Sequence, residues 1–217
     1  MKISWKHQDT DLPNTLTFEQ KVELFYEQTF GWQLHIADLI ANGGVPLAGG
    51  EAIQRVEHSG FAVLQICLSY FELIGSLYAA KGESDTVKFK TGVQHVFPRL
   101  SNDSAESKEL LKRLHEGARC GLYHEGRIRP QIGLGQPPDG TAIAIDSSNG
   151  TVVVSPERLP NALKAHLENF RCQLMDNGNT DLRKRFECRF DAGFTRGAQA
   201  KAAKPRVAPI VVCTSGA

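Results

Sequence analysis

The first regular hydrophobic spacing along the chain begins after Thr17. Mostly apolar positions then recur three or four residues apart, as on one face of a helix: Val22, Phe25, Thr29, Trp32, Ile36, Leu39 and Ile40. Thr17 and Gln20 have the spacing of a capping box, and Asn42-Gly43-Gly44 supplies a stop signal. The pattern predicts a helix over about residues 16–42, preceded by a loose arm at residues 1–14.

A second helix is predicted from a run that is apolar on nearly every face. The helix is predicted over roughly residues 51–81, and the apolar members of its second half are Phe61, Val63, Leu64, Ile66, Leu68, Tyr70, Phe71, Leu73, Ile74, Leu77 and Tyr78. A helix that is apolar all round is a buried one. We therefore expect the central helix of a bundle here. Residues 83–102 are less regular because Gly92 and Pro98 interrupt them, although a short helix around 88–97 fits.

The third helix is predicted over about residues 104–124. Asp103 and Glu106 have the spacing of a capping box. A buried stripe follows at helical spacing: Leu110, Leu111, Leu114, Ala118 and Leu122. The last turn and a half of this helix, from Arg119 to Gly126, holds the densest group of chemically capable side chains in the chain.

The pattern changes to short alternating runs after Gly126. Residues 127–140 are rich in Pro and Gly, and the runs around Ile143 and Val153 flank an Asn149-Gly150 pair. Asn-Gly between two such runs is a strong signal for a hairpin with a type I′ turn. We expect a β-hairpin here, with a third strand possible at residues 128–134.

Two further helices are expected before the chain loses its periodicity. Ser155-Pro156 begins the first of them and Asn177-Gly178 ends it, and Thr180 can cap the second. Residues 195–217 then form a predicted flexible basic tail, in which Pro209–Cys213 is the one run that could dock as a strand.

The resulting fold prediction is mainly α. It is a single helical-bundle domain over residues 1–194, with a β-hairpin inserted at about residues 127–155, between the third and fourth long helices.

Composition narrows the class of protein. The chain has 217 residues with a formal net charge of +1, so no global electrostatic pull toward nucleic acid or membrane is expected, and any nucleic-acid contact needs a local basic patch. The polar N-terminus lacks the core of a signal peptide, and no apolar run reaches the ~18 residues of a membrane span. We expect a cytoplasmic protein.

The cysteines and the missing motifs exclude several common chemistries. The five cysteines are widely spaced without a Cys-x-x-Cys pair, so we expect reduced thiols and no zinc site. The phosphate loop, the Gly-x-Gly-x-x-Gly fingerprint, the Gly-x-Ser-x-Gly elbow and the His-Glu-x-x-His pair are all absent from the sequence. No cofactor is therefore expected.

One pattern remains, in which Arg119 and His124 are separated by four residues near a helix end. With Glu72 as the single acid in the preceding apolar helix, and with the closing sequence Gly121-Leu-Tyr-His-Glu-Gly126, the pattern resembles the HEPN superfamily over residues 17–125. The resemblance implies a helical, metal-independent endoribonuclease that leaves 2′,3′-cyclic phosphate ends. It also implies a homodimer with its cleft between two such helices, often within toxin–antitoxin or phage-defence systems, where a cognate antitoxin is a further partner.

The residue types suit that chemistry. Histidine moves protons near neutral pH because its unperturbed pKa is ~6.5. Arginine stays charged, and its planar fork matches phosphate oxygens. In this hypothesis Arg119 holds the scissile phosphate, His124 transfers protons and Glu72 orients them. Tyr123 could stack a base.

A basic cluster, Arg183, Lys184 and Arg185, could follow the phosphate backbone. A solvated helix face explains the same cluster. Packing at a helix end likewise explains Tyr123, and we expect His115 to lie on the surface.

Helix geometry opposes the proposed pair. At ~100° per residue, side chains five positions apart on an α-helix point about 140° away from each other. One site can contain Arg119 and His124 only if the helix loosens near Gly121, or if Arg119 reaches around. Otherwise Arg119 pairs with Glu116 or Glu125 in an ordinary helix end.

Two other functions therefore stay open. Cys120 stands where many HEPN proteins carry Asn or Asp directly after the arginine, which favours a non-catalytic module that binds nucleic acid or protein. The third possibility is a structural helical protein outside the family, with the hairpin as its interaction surface.

Overall fold

The fold is given by a computed structural model that describes residues 2–13, 15–80 and 82–193. The predicted tail at 195–217, including Pro209–Cys213, lies outside the described residues.

The first long helix follows the predicted bounds closely. It consists of α1 (Phe18–Thr29), a π-helical segment (Phe30–Leu34) and α2 (His35–Asn42). The predicted capping box is present: Thr17 Oγ1 accepts from the Gln20 backbone N–H, and Gln20 Oε1 accepts from the Thr17 N–H at 2.9 Å.

The N-terminal arm packs on this helix, so the expectation of a loose arm was wrong. Ser4 donates to Glu27 Oε2 at 2.7 Å, and His7 Nδ1 lies 2.8 Å from the same oxygen. The Trp5 ring lies on Gly31, where a Cβ would meet the ring at 2.2 Å. A buried carboxylate needs such partners. A short 3₁₀ turn (Asp9–Asp11) lies within the arm.

The central helix α3 (Gly60–Tyr78) begins later than predicted. The preceding residues form a loop instead, because their backbone groups bond elsewhere: Gly44 and Ile53 bond each other, and the Val56 N–H donates to Ile40 O at 2.9 Å. Buried residues of α3 face the core, whereas Phe61 is 42% exposed. By length and composition α3 could cross a membrane, but half of this apolar stretch is buried inside the protein.

Helix α4 (Asp85–Val96) packs against α3 through two glycines and is followed by a 3₁₀ turn (Pro98–Leu100). A Cβ on Gly92 would lie 1.8 Å from Phe71 O, and one on Gly75 would lie 1.7 Å from Lys88 O. The sequence suggested that Gly92 interrupts this region, but the residue lies inside α4. It lets two helix backbones touch.

The third long helix changes its hydrogen bonding partway. It begins as α5 (Ala105–Arg113) and continues as a π-helical segment (Leu114–Arg119). After Cys120 it ends in a second π-helical segment (Gly121–Glu125), which we call the terminal π turn. Gly126 closes the helix with φ +69°, a conformation that glycine adopts without strain.

Three short strands follow: β1 (Ile132–Leu134), β2 (Ile143–Ile145) and β3 (Val152–Val154). They form a sheet in the order β1-β3-β2, in which β3 is antiparallel to β2 and parallel to β1.

The connection between β2 and β3 differs from the predicted type I′ turn. Gly150 has a positive φ of 71°, but Asn149 does not. Instead, the Asp146 carboxylate accepts from the Ser148 backbone and hydroxyl, and from the Asn149 amide at 2.9 Å. A longer loop organised by one aspartate replaces the tight turn.

The described chain ends with α6 (Leu159–Met175) and α7 (Thr180–Gly193). Phe186 of α7 makes edge contacts with Phe18 and Phe25, which hold α7 against α1. The coarse prediction of a mainly helical protein with a small β element is confirmed.

We predict that Gly92→Ala lowers the free energy of unfolding by roughly 3 kcal/mol, because the added methyl group forces α3 and α4 apart. Gly193→Ala is the matched control, since a Cβ there meets nothing within 4 Å among the described residues. It should change stability by less than about 1 kcal/mol. Urea unfolding of both variants checks this, and equal stability of the two would contradict the glycine contact.

Candidate functional site

The two π-helical segments bring Arg119 and His124 together: Arg119 ends the first segment, and His124 lies in the second, the terminal π turn. In a π-helix the bonded groups are five positions apart, and the Gly126 N–H donates to Gly121 O in this way. Residues five apart then lie on the same face, unlike those of an α-helix. Arg119 Nη1 lies 3.3 Å from His124 Nε2. The helix loosens at Gly121, which removes the geometric objection to a shared site.

Glu72 reaches this pair from α3. Its Oε1 atom lies 2.5 Å from Arg119 Nε, and the two side chains are only 27% and 15% exposed. The hydrogen bond from Arg119 to the Glu72 carboxylate raises the pKa of the guanidinium. Glu72 thus occupies Nε and fixes the guanidinium, whose Nη1 atom faces His124.

The alternative partners of Arg119 were Glu116 and Glu125. Among the described residues Glu116 forms no ion pair with Arg119, and Glu125 is engaged elsewhere. Glu125 binds Arg129, with Oε1 2.5 Å from Nη2, and lies 3.7 Å from Arg127 Nε. Arg119 forms its ion pair with Glu72, which lies on a different helix, α3. Arg119 is therefore held by a tertiary contact, not by its own helix end.

Tyr123 borders the site with an exposed ring. The guanidinium carbon of Arg119 lies 4.9 Å from the ring centroid, within cation–π range. The Tyr123 hydroxyl donates to the Gln65 backbone oxygen at 3.4 Å, and the residue remains 40% exposed. The pKa of Tyr123 is raised, mainly by burial of the hydroxyl and to a smaller extent by the charge of Glu72. Tyr123 thus borders the site as a partly exposed side chain.

His115 was expected on the surface, but the structure buries it at 8% exposure. It makes an edge contact with Phe89, and both ring nitrogens lie 3.9 Å from Cys120 Sγ. The pKa of His115 is lowered, mainly by burial and to a smaller extent by the charge of Arg119. His115 and Cys120 are also five positions apart, and the Cys120 N–H donates to His115 O. π-helical bonding therefore explains their contact. A sequence pattern does not reveal this bonding.

The basic cluster of the sequence lies on α7. Arg183 is engaged within the fold: its Nη1 donates to Leu174 O at 2.6 Å, and its guanidinium carbon lies 3.8 Å from the Phe18 ring centroid. Lys184 and Arg185 are exposed, and Arg185 lines a concavity of about 350 Å³ beside Tyr78. The contacts of Arg183 are thus with α1 and α6, while the site residues belong to α3 and the third long helix.

Within the described parts of the chain, no group of His, Cys, Asp and Glu side chains is arranged to hold a metal ion. Comparisons of this chain with protein-family models, with curated proteins and with solved structures give no match.

We predict that Glu72→Gln lowers the free energy of unfolding by roughly 2 kcal/mol, because the partly buried guanidinium loses its charged acceptor. The control is Glu109→Gln, which breaks a more exposed ion pair of similar length, 2.6 Å. Its cost should stay below about 1 kcal/mol. Urea unfolding measures both, and an equal cost would show that burial adds nothing to the Glu72–Arg119 pair.

Proposed function

We propose that the protein is a HEPN-like helical domain that acts as a metal-independent endoribonuclease. The observation that carries the proposal is the convergence of three side chains from two helices: Arg119 touches Glu72 at 2.5 Å and His124 at 3.3 Å. The π turn that permits this contact is of a kind often found at functional sites.

The chemistry is the attack of an RNA 2′-oxygen on the neighbouring phosphorus. The bond from phosphorus to the 5′-oxygen breaks, which leaves a 2′,3′-cyclic phosphate and a 5′-hydroxyl. One proton leaves the 2′-hydroxyl and one reaches the departing oxygen, and His124 serves in this exchange. Arg119 neutralises the charge that develops on the phosphoryl oxygens. Glu72 acts as a positioning residue, since it holds the guanidinium in place.

Tyr123 completes the site as a stacking platform. Its exposed ring adjoins Arg119, so a base next to the scissile phosphate can lie on it. The exposed Lys184 and Arg185 would contact the RNA backbone only more distantly. Arg183 is the weakest of the proposed RNA contacts because it is already bonded to Leu174 and packed on Phe18.

We further propose that the enzyme is a homodimer and that the second copy covers the open side of the site. The exposed face of α3 supports this, because Phe61 and Gln65 lie there, one turn apart, and the Gln65 backbone oxygen accepts from the Tyr123 hydroxyl. Aromatic residues are enriched in protein interfaces. Two sites would then face one cleft.

The proposed setting is cytoplasmic, with RNA as substrate and with an antitoxin as a further partner, in a toxin–antitoxin or phage-defence system. Cys67, Cys120, Cys172 and Cys188 are free thiols, which suits a reducing compartment.

A second candidate function is a non-catalytic HEPN-like module that binds nucleic acid or protein. The observation that favours it is Cys120, whose thiol contacts His115 instead of supplying the strong polar group that Asn or Asp would provide. Such a module would bind RNA without cleaving it.

We predict that the purified protein cleaves RNA in EDTA and that His124→Ala lowers the rate by about 10²- to 10⁴-fold, because proton transfer is lost. Gel analysis of labelled RNA measures the rate. The product ends should resist a phosphomonoesterase until acid opens the cyclic phosphate.

The control is His58→Asn, at an exposed histidine whose positive φ of 58° asparagine tolerates. It should cleave at the wild-type rate. Absence of cleavage by the wild type, or equal cleavage by His124→Ala, would reject the nuclease and leave the binding module.

A further inference from the structure

The segment that follows the site turns back along the same helix end. We call residues 126–131 the arginine loop, after Arg127 and Arg129. The Arg127 N–H donates to Gly121 O at 3.2 Å, and the Arg129 N–H donates to Gly117 O at 3.0 Å. The loop is thus bonded to the π-helical residues that also carry Arg119 and His124.

Two glycines make this close approach possible. A Cβ on Gly121 would lie 2.4 Å from Arg127 O, and a Cβ on Gly117 would lie 3.0 Å from the Gln131 side chain. Ile128 packs on the core, and Ile132 is buried at 5% exposure. The loop backbone is therefore fixed from both sides, so a ligand that binds it meets a preorganised segment.

The two arginines point outward from this fixed backbone. The Arg127 side chain is 76% exposed and that of Arg129 is 40% exposed. Together with Ile128, Pro130 and Ile132 they line a concavity of about 310 Å³. A concavity with two guanidinium groups at its wall suits an anion, and arginine matches phosphate oxygens through paired N–H groups.

An anion from the protein itself already lies between these arginines. Glu125 places Oε1 2.5 Å from Arg129 Nη2 and Oε2 3.7 Å from Arg127 Nε. The hydrogen bond from Arg129 lowers the pKa of the Glu125 carboxyl. Two arginines face the Glu125 carboxylate, and the charge of a second carboxylate, Glu116, also reaches Arg129. An exposed ion pair of this kind is weak, so a phosphate diester can displace the carboxylate.

The position of the loop relates it to the proposed nuclease site. His124 and Glu125 are neighbours at the exposed end of a helix about 10–12 Å across. A strand that leaves Arg119 can pass around this end to Arg127 and Arg129 within a few nucleotides. The stacking of a base on Tyr123 needs an unpaired base, which suits a single strand and not a duplex.

We infer that the arginine loop binds a backbone phosphate of single-stranded RNA a few nucleotides from the scissile bond, and that Glu125 is the competitor which this phosphate displaces. The inference rests on the proposed function for the identity of the ligand. It assigns Arg127 and Arg129 to substrate binding, and it leaves the cleavage step to Arg119 and His124.

The test is fluorescence anisotropy with a labelled single-stranded RNA of about 12 nucleotides. It is run in EDTA with the His124→Ala protein, so that the probe stays intact. Arg127→Ala and Arg129→Ala in this background should each weaken binding. The double variant should also reduce the slope of log affinity against log salt by about 0.7, the value for one phosphate contact on a single strand. Lys112→Ala, at an exposed cation of α5, is the control and should leave the slope unchanged.

The role of Glu125 has its own signature. Glu125→Gln should bind the probe about two- to five-fold more tightly at low salt, because the competing charge is gone. Equal or weaker binding would overturn the competitor role. Equal affinity for a duplex of the same length would overturn the single-strand assignment.

Failure of this inference can be told apart from failure of the nuclease proposal. RNA binding that depends on Arg127 and Arg129, in a wild type that does not cleave, keeps the loop and rejects the nuclease. Cleavage by the wild type with unchanged affinity in both arginine variants rejects the loop and keeps the nuclease. Absence of RNA binding altogether rejects the loop as well.

Discussion

The contact between Gly75 and Gly92 fixes the helix on which the candidate site depends. A Cβ at either position would meet a backbone oxygen of the facing helix at 1.7 or 1.8 Å, so α3 and α4 touch without side chains between them. Gly75 lies about one turn from Glu72 on α3. The contact therefore fixes α3, the helix that carries Glu72, against α4, and from α3 Glu72 Oε1 meets Arg119 Nε at 2.5 Å.

The π-helical segments of the helices coincide with close approaches elsewhere in the fold. The π-helical segment of the first long helix contains Gly31, against which the Trp5 ring packs. The π-helical part of the third contains Gly117 and Gly121, against which the arginine loop packs. In both helices the wider turn accompanies a returning chain segment. In the third helix it also aligns Arg119 with His124, so that one deviation from α-helical bonding shapes both the proposed cleavage site and the proposed phosphate contact.

The sequence predicted what local pattern determines and missed what distant partners determine. The stripe after Thr17 located the first helix, because capping and periodicity are local. The prediction of a tight turn at Asn149-Gly150 was wrong, since Asp146 organises a longer loop. The N-terminal arm was missed because Ser4 and His7 bind Glu27, far along the chain. Within the site, residue types suggested Arg119, His124 and Glu72. Their meeting depends on i→i+5 bonding, which hydrophobic spacing does not encode.

The central claim is that Arg119 and His124 act on one phosphate as one site. The most direct measurement is the rate of RNA cleavage in EDTA by Arg119→Ala, by His124→Ala and by the double variant. Residues that act as a unit lose activity non-additively. We predict that the double variant cleaves no more slowly than the slower single variant. Losses that multiply in the double variant, or a wild-type rate in either single variant, would contradict the shared site.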